Sequence, residues 1–200
     1  MEQKTNQLKE NNNPEIKEPT NTLEQSLCDK INLSNNCHIC GYEYYHPDDS
    51  HSLCHMTLII PHLYLGSKTN AQYLCELQYF NINTIINVAC EIPKICNDKF
   101  KYIKYNWDDI FIFDILVDID DIVDQIHTEI TNENSVLVHC AKGISRSASV
   151  VIGYLMKYKK MSYNDAYKYV KTLRSCINPN SGFVDQLKIY GDKLSNTNNT

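Results

Sequence analysis

The sequence predicts an α/β domain: a central, mainly parallel twisted sheet flanked by helices. Three observations carry this expectation. Strand-like and helix-like segments alternate from about Thr57 to Leu194. The run Ser135-Val136-Leu137-Val138-His139 is compact and β-branched, as suits a central strand covered on both faces. Between Phe113 and Ile130, apolar residues fall at 116, 119, 122/123, 126 and 130, which is helix spacing, with aspartates on the outer face.

Taken in order, Leu58-Ile59-Ile60 and Leu63-Tyr64-Leu65 read as short strands around Pro61, closed by Gly66. Thr69 or Asn70 is placed to cap a short helix carrying Leu74, Leu77 and Phe80. Thr84-Ile85-Ile86-Asn87-Val88 reads as a buried strand and Tyr102 to Trp107 as another. The helix predicted from Phe113 to Ile130 follows, with Asp114 at its start, where a carboxylate suits the dipole. After the Ser135 strand, Ser145 to Tyr158 reads as a buried helix with Val150, Val151, Tyr154 and Leu155 inward. Ser162-Tyr163-Asn164-Asp165 resembles a capping box opening a helix to about Leu173, and a last helix follows Gly182.

Composition sets the outer limits. Residues 1–35 are rich in Asn, Glu, Lys, Gln and Thr and predict a disordered extension, as does the tail 195–200. Residues 36–56 form a Cys/His-rich segment, and 57–194 the folded domain. A net charge of -5 gives no whole-chain reason to expect nucleic acid. Acidic residues concentrate between Asp108 and Glu129, leaving another face relatively basic. No stretch approaches the roughly 18 apolar residues of a membrane span, and the start carries no secretory pattern. These features predict a soluble cytoplasmic protein, with the nucleus also open to it. Nine cysteines, an odd number without a secretory signal, point to thiol chemistry or metal binding rather than a disulfide framework.

The segment that carries chemistry is His139-Cys140-Ala141-Lys142-Gly143-Ile144-Ser145-Arg146-Ser147. A strand runs into a short loop and the loop into a helix, a turn that aims backbone N–H groups inward at a helix N-terminus. An anion of phosphate size fits such a cradle, and Gly143 permits backbone geometry that a side chain would hinder. The phosphate loop is therefore Ala141, Lys142, Gly143, Ile144, Ser145 and Arg146. Cys140 stands at its floor, where amides, helix terminus and Arg146 all favour thiolate over thiol. Arg146, six residues on, can grip two phosphate oxygens with its planar fork. Ser147 can donate to the sulfur when it leaves, and His139 fixes the loop rather than transferring protons. Lys142 has no obligatory partner and reads as a solvated lysine at the pocket mouth.

His-Cys-x-x-Gly-x-x-Arg-Ser resembles the signature of the protein tyrosine phosphatase superfamily, and Gly-Ile-Ser-Arg-Ser-Ala-Ser resembles its dual-specificity branch. Ile60-Pro61-His62-Leu63-Tyr64-Leu65-Gly66, Ile86-Asn87-Val88, Ile152-Gly153-Tyr154-Leu155-Met156 and Asn178 to Leu187 resemble further segments of that branch, in order, over about residues 57–194. The resemblance implies a phosphatase-like fold, a phosphocysteine intermediate, phosphorylated proteins as substrates and no cofactor for catalysis. It also implies an aspartic acid that protonates the leaving group. Aligning Tyr105-Asn106-Trp107-Asp108-Asp109 with the branch selects Asp109, 31 residues before Cys140, with Asp108 one residue off as the alternative. Cys90 sits near where some relatives keep a cysteine that pairs with the nucleophile, one residue out of register.

Cys37-His38-Ile39-Cys40-Gly41 has the form of a zinc knuckle, and His51 and Cys54 follow. Cys37, Cys40, His51 and Cys54 could close a tetrahedral structural zinc site, with His38, His46 and His55 as substitutes. Two rival substrates keep the loop: phosphoinositides, whose phosphatases carry more loop lysines, and RNA 5′-phosphates, whose phosphatases usually follow the arginine with Thr-Gly. A third reading is a phosphoprotein-binding module, whose relatives generally lose the nucleophile or the arginine.

Overall fold

The computed structural model describes residues 55–94 and 98–197. Its strands are β1 (Thr57–Ile60), β2 (Leu63–Ser67), β3 (Ile82–Ala89), β4 (Lys101–Trp107) and β5 (Ser135–Cys140). Its helices are α1 (Lys68–Gln72), α2 (Leu74–Tyr79), α3 (Ile119–Thr131), α4 (Arg146–Tyr158), α5 (Tyr163–Leu173) and α6 (Ser181–Thr197). The sheet order is β1-β2-β5-β3-β4. Only the β1–β2 hairpin is antiparallel; β2–β5, β5–β3 and β3–β4 are parallel, so the mainly parallel α/β fold is what forms.

Two cores clamp β5. Val136, Val138 and Cys140 point into the larger cluster, with Ile119, Ile122, Val123 and Ile126 of α3, Val150, Val151, Tyr154 and Leu155 of α4, and Phe183 and Leu187 of α6. Leu137 points the other way, into a smaller cluster with Ala71, Leu77, Ile82 and Ile85. Every residue of β5 is buried, which is why its sequence reads as a continuous apolar run rather than an alternation. The loop that leaves its carboxyl end is thereby anchored on a central, fully buried strand.

Three local expectations change. The first helix is two: Ser67 caps α1, its hydroxyl accepting from Asn70 N at 3.5 Å while Asn70 Oδ1 accepts from Ser67 N at 2.9 Å. Asn70 thus closes a reciprocal box three residues in rather than being the cap itself. The helix predicted from Phe113 begins at Ile119, because Gln186 of α6 takes the backbone groups that would have propagated it. Its Oε1 accepts from Ile115 N at 2.7 Å and its Nε2 donates to Phe113 O at 2.8 Å. Asp114 consequently folds back on its own loop, accepting from Leu116 N at 2.9 Å. Finally, α6 runs to Thr197, past Ser195 where a disordered tail was expected to begin. Ser162 does cap α5, accepting from Asp165 N at 3.2 Å. No helix among the described residues is long and apolar enough to cross a membrane.

Candidate active site

The loop between β5 and α4 is shaped by what happens to its carbonyls. Cys140 O lies 3.3 Å from His139 Nδ1, and Ala141 O accepts from Lys68 N at 3.3 Å. Gly143 O accepts from Arg174 Nε at 3.0 Å and Ile144 O from Asn178 N at 2.8 Å. With these carbonyls tied to the surrounding frame, the amides are left to face the centre, and Gly143 N donates to Cys140 Sγ at 3.3 Å. Gly143 has φ +69, and a Cβ there would lie 2.6 Å from Gly66 O, so no other residue fits. Ser147 Oγ, at the first turn of α4, donates to the same sulfur at 3.2 Å. Cys140 itself is 2% exposed, at the floor of a cleft of about 510 Å³.

His139 is fully buried, and burial pulls its pKa down to about 4. A carbonyl can only accept, so the neutral ring carries its proton on Nδ1, toward Cys140 O. Nε2 then accepts from Tyr102 OH at 3.4 Å, and that hydroxyl accepts from Asn87 Nδ2 at 3.0 Å. The chain from β3 through β4 to β5 fixes the strand end from which the nucleophile projects.

Arg146 is held by a residue that sequence reasoning missed. Glu91, just after β3, engages its Nη1 and Nη2 at 2.5 and 2.6 Å, and Trp107 O accepts from Nη1 at 3.0 Å. The Arg146 guanidinium holds Glu91 well below the usual carboxylate range, at about 2. Glu91 uses the end of the fork, while Nε makes no hydrogen bond and stays available to a ligand oxygen. A signal for Glu91 was present, an acid at the carboxyl end of a buried strand, but its pairing spans 55 residues of sequence.

Asp109 lines the same cleft as Cys140 and Arg146; Asp108 does not. Asp109 Oδ1 accepts from Ser145 Oγ at 2.6 Å and from Asn180 Nδ2 at 2.8 Å, while Oδ2 lies 3.6 Å from Arg146 Nε. One oxygen is thus saturated as an acceptor, and the other faces Arg146 Nε without a hydrogen bond. Asp108 instead accepts from the exposed Cys90 thiol at 2.7 Å, a bond that pushes Cys90 up to about 11. A thiol held protonated in this way is a poor nucleophile at neutral pH. Ser145, read as part of the phosphate loop, therefore also braces the acid; Asn180 N donates to its hydroxyl at 3.1 Å. Ala141 and Ile144 line the cleft, and Lys142 stands exposed at its mouth.

The zinc ligands proposed from sequence, Cys37, Cys40, His51 and Cys54, lie outside the described residues, as do His38 and His46. His55, their possible substitute, approaches Glu76 Oε1 at 3.2 Å instead. Among the described residues, no group of three His, Cys, Asp or Glu side chains could hold a metal ion.

A sequence profile described as the catalytic domain of dual specificity phosphatases matches residues 63–193. The chain is 41% identical over 133 residues to a probable rhodanese domain-containing dual specificity protein phosphatase of Dictyostelium discoideum, covering 66% of this chain and 28% of that protein. It is 39% identical over 132 residues to dual specificity protein phosphatase 14 of Mus musculus, covering 66% of this chain and 67% of that one. Among solved structures, the human tyrosine phosphatase-like serine/threonine/tyrosine-interacting protein superposes with a TM-score of 0.65 at 36% identity, covering 70% of this chain and 97% of that one. The loop geometry and these likenesses fall on the same residues, and the chain belongs to the dual specificity phosphatase family of the protein tyrosine phosphatase superfamily.

Proposed function

We propose that this protein hydrolyses phosphate esters of tyrosine and of serine or threonine in other proteins, through a phosphocysteine on Cys140. The observation that carries this reading is the convergence on one cleft of a sulfur accepting from Gly143 N–H and Ser147 O–H, the Arg146 guanidinium, whose Nε makes no hydrogen bond, and the Asp109 carboxyl.

In the first step Cys140 Sγ attacks phosphorus as the bond to the ester oxygen breaks. That oxygen takes the proton carried by Asp109 and departs as the free hydroxyl. The loop amides and Arg146 hold the equatorial oxygens, where charge accumulates in the transition state. In the second step water attacks phosphorus, giving a proton to Asp109, and the S–P bond breaks. Ser147 donates to the sulfur as it regains its electron pair. No metal or cofactor enters these steps.

Assignment to protein substrates rests on the family and on a loop with one lysine, followed after Arg146 by Ser-Ala rather than Thr-Gly. The lack of a Lys-Asn-Arg-Tyr-like segment, which walls the deep pocket of strict tyrosine phosphatases, supports dual specificity. The test is phosphate release from matched phosphotyrosine and phosphothreonine peptides, with an inositol phospholipid and a 5′-triphosphorylated RNA alongside. Activity on both peptides that is absent from Cys140→Ser supports the reading. Preference for lipid or RNA reassigns the substrate; phosphopeptide binding without turnover by wild-type protein makes it a binding module.

A further inference from the structure

The cleft is lined by two acids, Glu91 and Asp109, and two bases, Arg146 and Lys142. Arg146 is engaged end-on by Glu91, and the Asp109 carboxyl lies 3.6 Å from its Nε, so its charge is already shared. His139 is neutral above about pH 4, and Lys142 is exposed to solvent. If Cys140 works as a thiolate, as the proposed function requires, its charge must be balanced from elsewhere.

Beneath the loop lies Arg174, at the end of α5, with none of its surface exposed. Its Nε donates to Gly143 O at 3.0 Å, and its Nη1 to His55 O at 2.9 Å and Thr57 Oγ1 at 3.0 Å. All three acceptors are neutral. Nη2 makes no hydrogen bond among the described residues, and it lies 2.8 Å from where a Cβ on Gly143 would stand. Among the described residues Arg174 has no carboxylate within ion-pair distance, an arrangement that folded proteins seldom tolerate for a buried charge.

We propose that Arg174 is a positioning residue and the hidden cation of the phosphate site: it clamps Gly143 in its left-handed turn and holds Cys140 as thiolate from below. The orphaned charge and the sulfur answer one another across a single residue, since Gly143 gives its N–H to the sulfur and its carbonyl to the arginine. Burial pulls the Arg174 guanidinium below its ordinary pKa, and the negative groups opposing this are Cys176, Cys140 and Glu76. Glu76, on α2, is already committed: Oε1 is shared by His55 Nδ1 and Met56 N, and Oε2 accepts from Asn70 Nδ2. Cys176 is a half-buried free thiol outside the cleft. Of the three, Cys140 is the group whose anionic form the proposed mechanism uses, and its sulfur is the counter-anion Arg174 serves. The guanidinium stays charged at any working pH, so its field is constant where that of a histidine would switch.

The test reads the thiolate directly and does not depend on phosphatase turnover. Alkylation of Cys140 by iodoacetamide is followed against pH, with the modified peptide quantified by mass spectrometry so that other cysteines do not interfere. Arg174→Met is expected to move the midpoint upward by about one pH unit, roughly tenfold slower alkylation below it. Arg174→Lys, which keeps the charge but loses the fork, is expected to recover most of that shift even where its melting temperature falls. Cys176→Asp sets a carboxylate beside an intact Arg174 and is expected to raise the midpoint in the same direction. An unchanged midpoint in folded Arg174→Met, or in Cys176→Asp if the former does not fold, reduces Arg174 to a structural strut and overturns the proposal. Failure of wild-type protein to release phosphate from any peptide would instead defeat the functional reading while leaving this midpoint measurable.

Discussion

The two loops that meet at the cleft are built on opposite plans. The phosphate loop, 140–146, has carbonyls tied to Lys68, Arg174 and Asn178 as well as to the neighbouring His139 ring, and a glycine that nothing can replace. The loop that follows β4 and carries Asp109 has its backbone held chiefly by one side chain, Gln186, and exposes Ile110, Phe111, Ile112 and Val117 to solvent. Preorganised donors are most valuable where charge develops, because they need no rearrangement during reaction. A proton donor needs reach and can ride on a looser support. The difference implies that damage to the first loop removes chemistry outright, whereas damage to the second slows it.

The largest effects should therefore come from the phosphate loop. Cys140→Ser is expected to bring phosphate release below detection, with the fold retained by circular dichroism. Gly143→Ala is expected to match it, since its Cβ would meet Gly66 O at 2.6 Å with φ at +69. Substantial activity in Gly143→Ala would mean that the loop adapts, and the contrast between the two loops would fail.

Asp109→Ala comes next, with kcat on phosphothreonine peptide reduced by about 10²- to 10⁴-fold, the usual worth of a positioned acid. Alkylation of Cys140 should not slow, because the sulfur's own hydrogen-bond partners are untouched. Asp108→Ala should change kcat far less, as its carboxylate is occupied by Cys90 outside the cleft. A larger loss for Asp108→Ala would transfer the acid role to that residue.

The same contrast explains what could be seen in the sequence beforehand. The phosphate loop was legible almost entire, because strand, loop and helix are contiguous and their residue types follow from local geometry: Cys140, Gly143, Arg146 and Ser147 fall within eight positions. Asp109 was legible only with Asp108 beside it, since the choice depends on Asn180 and Ser145, 71 and 36 residues away. Glu91 and Arg174 were not legible. An acid after a strand and an arginine after a helix are ordinary surface patterns until tertiary contacts bury their partners. The start of α3 was misplaced for a related reason: the apolar spacing continues back toward Phe113, but Gln186 captures the backbone bonds that helix formation needs.

A smaller effect is expected from the seam between the acid loop and α6. A Cβ on Gly182 would stand 2.0 Å from Phe111 O, a contact with backbone that no side-chain rotation relieves. Gly182→Ala must push the 110–113 turn outward, and Asp109 is adjacent in the chain. Loss of kcat by about ten- to 10²-fold, with Cys140 alkylation unaltered, is the expected pattern, up to the cost of a catalytic group displaced by about 1 Å. If alkylation slows as much as turnover does, the two loops are coupled rather than independent.

The mildest effect concerns acid stability and probes the frame behind the first loop. His139 has a folded-state pKa near 4, below its ordinary 6.5, because burial disfavours the charged ring. The unfolded chain therefore binds more protons than the folded one between those values, and stability rises with pH across that window. The contribution is complete above about 6.5 and is lost progressively as pH falls toward 4. Melting temperature measured from pH 7 to 4.5, above most of the carboxylate range, should fall on acidification. His139→Asn, which can still donate to Cys140 O but does not titrate, should show a shallower fall from a lower starting point. Parallel slopes for wild type and variant would mean that His139 takes up its proton without disturbing the strand end. Its hydrogen bond to Cys140 O would then not be what fixes the floor of the phosphate loop.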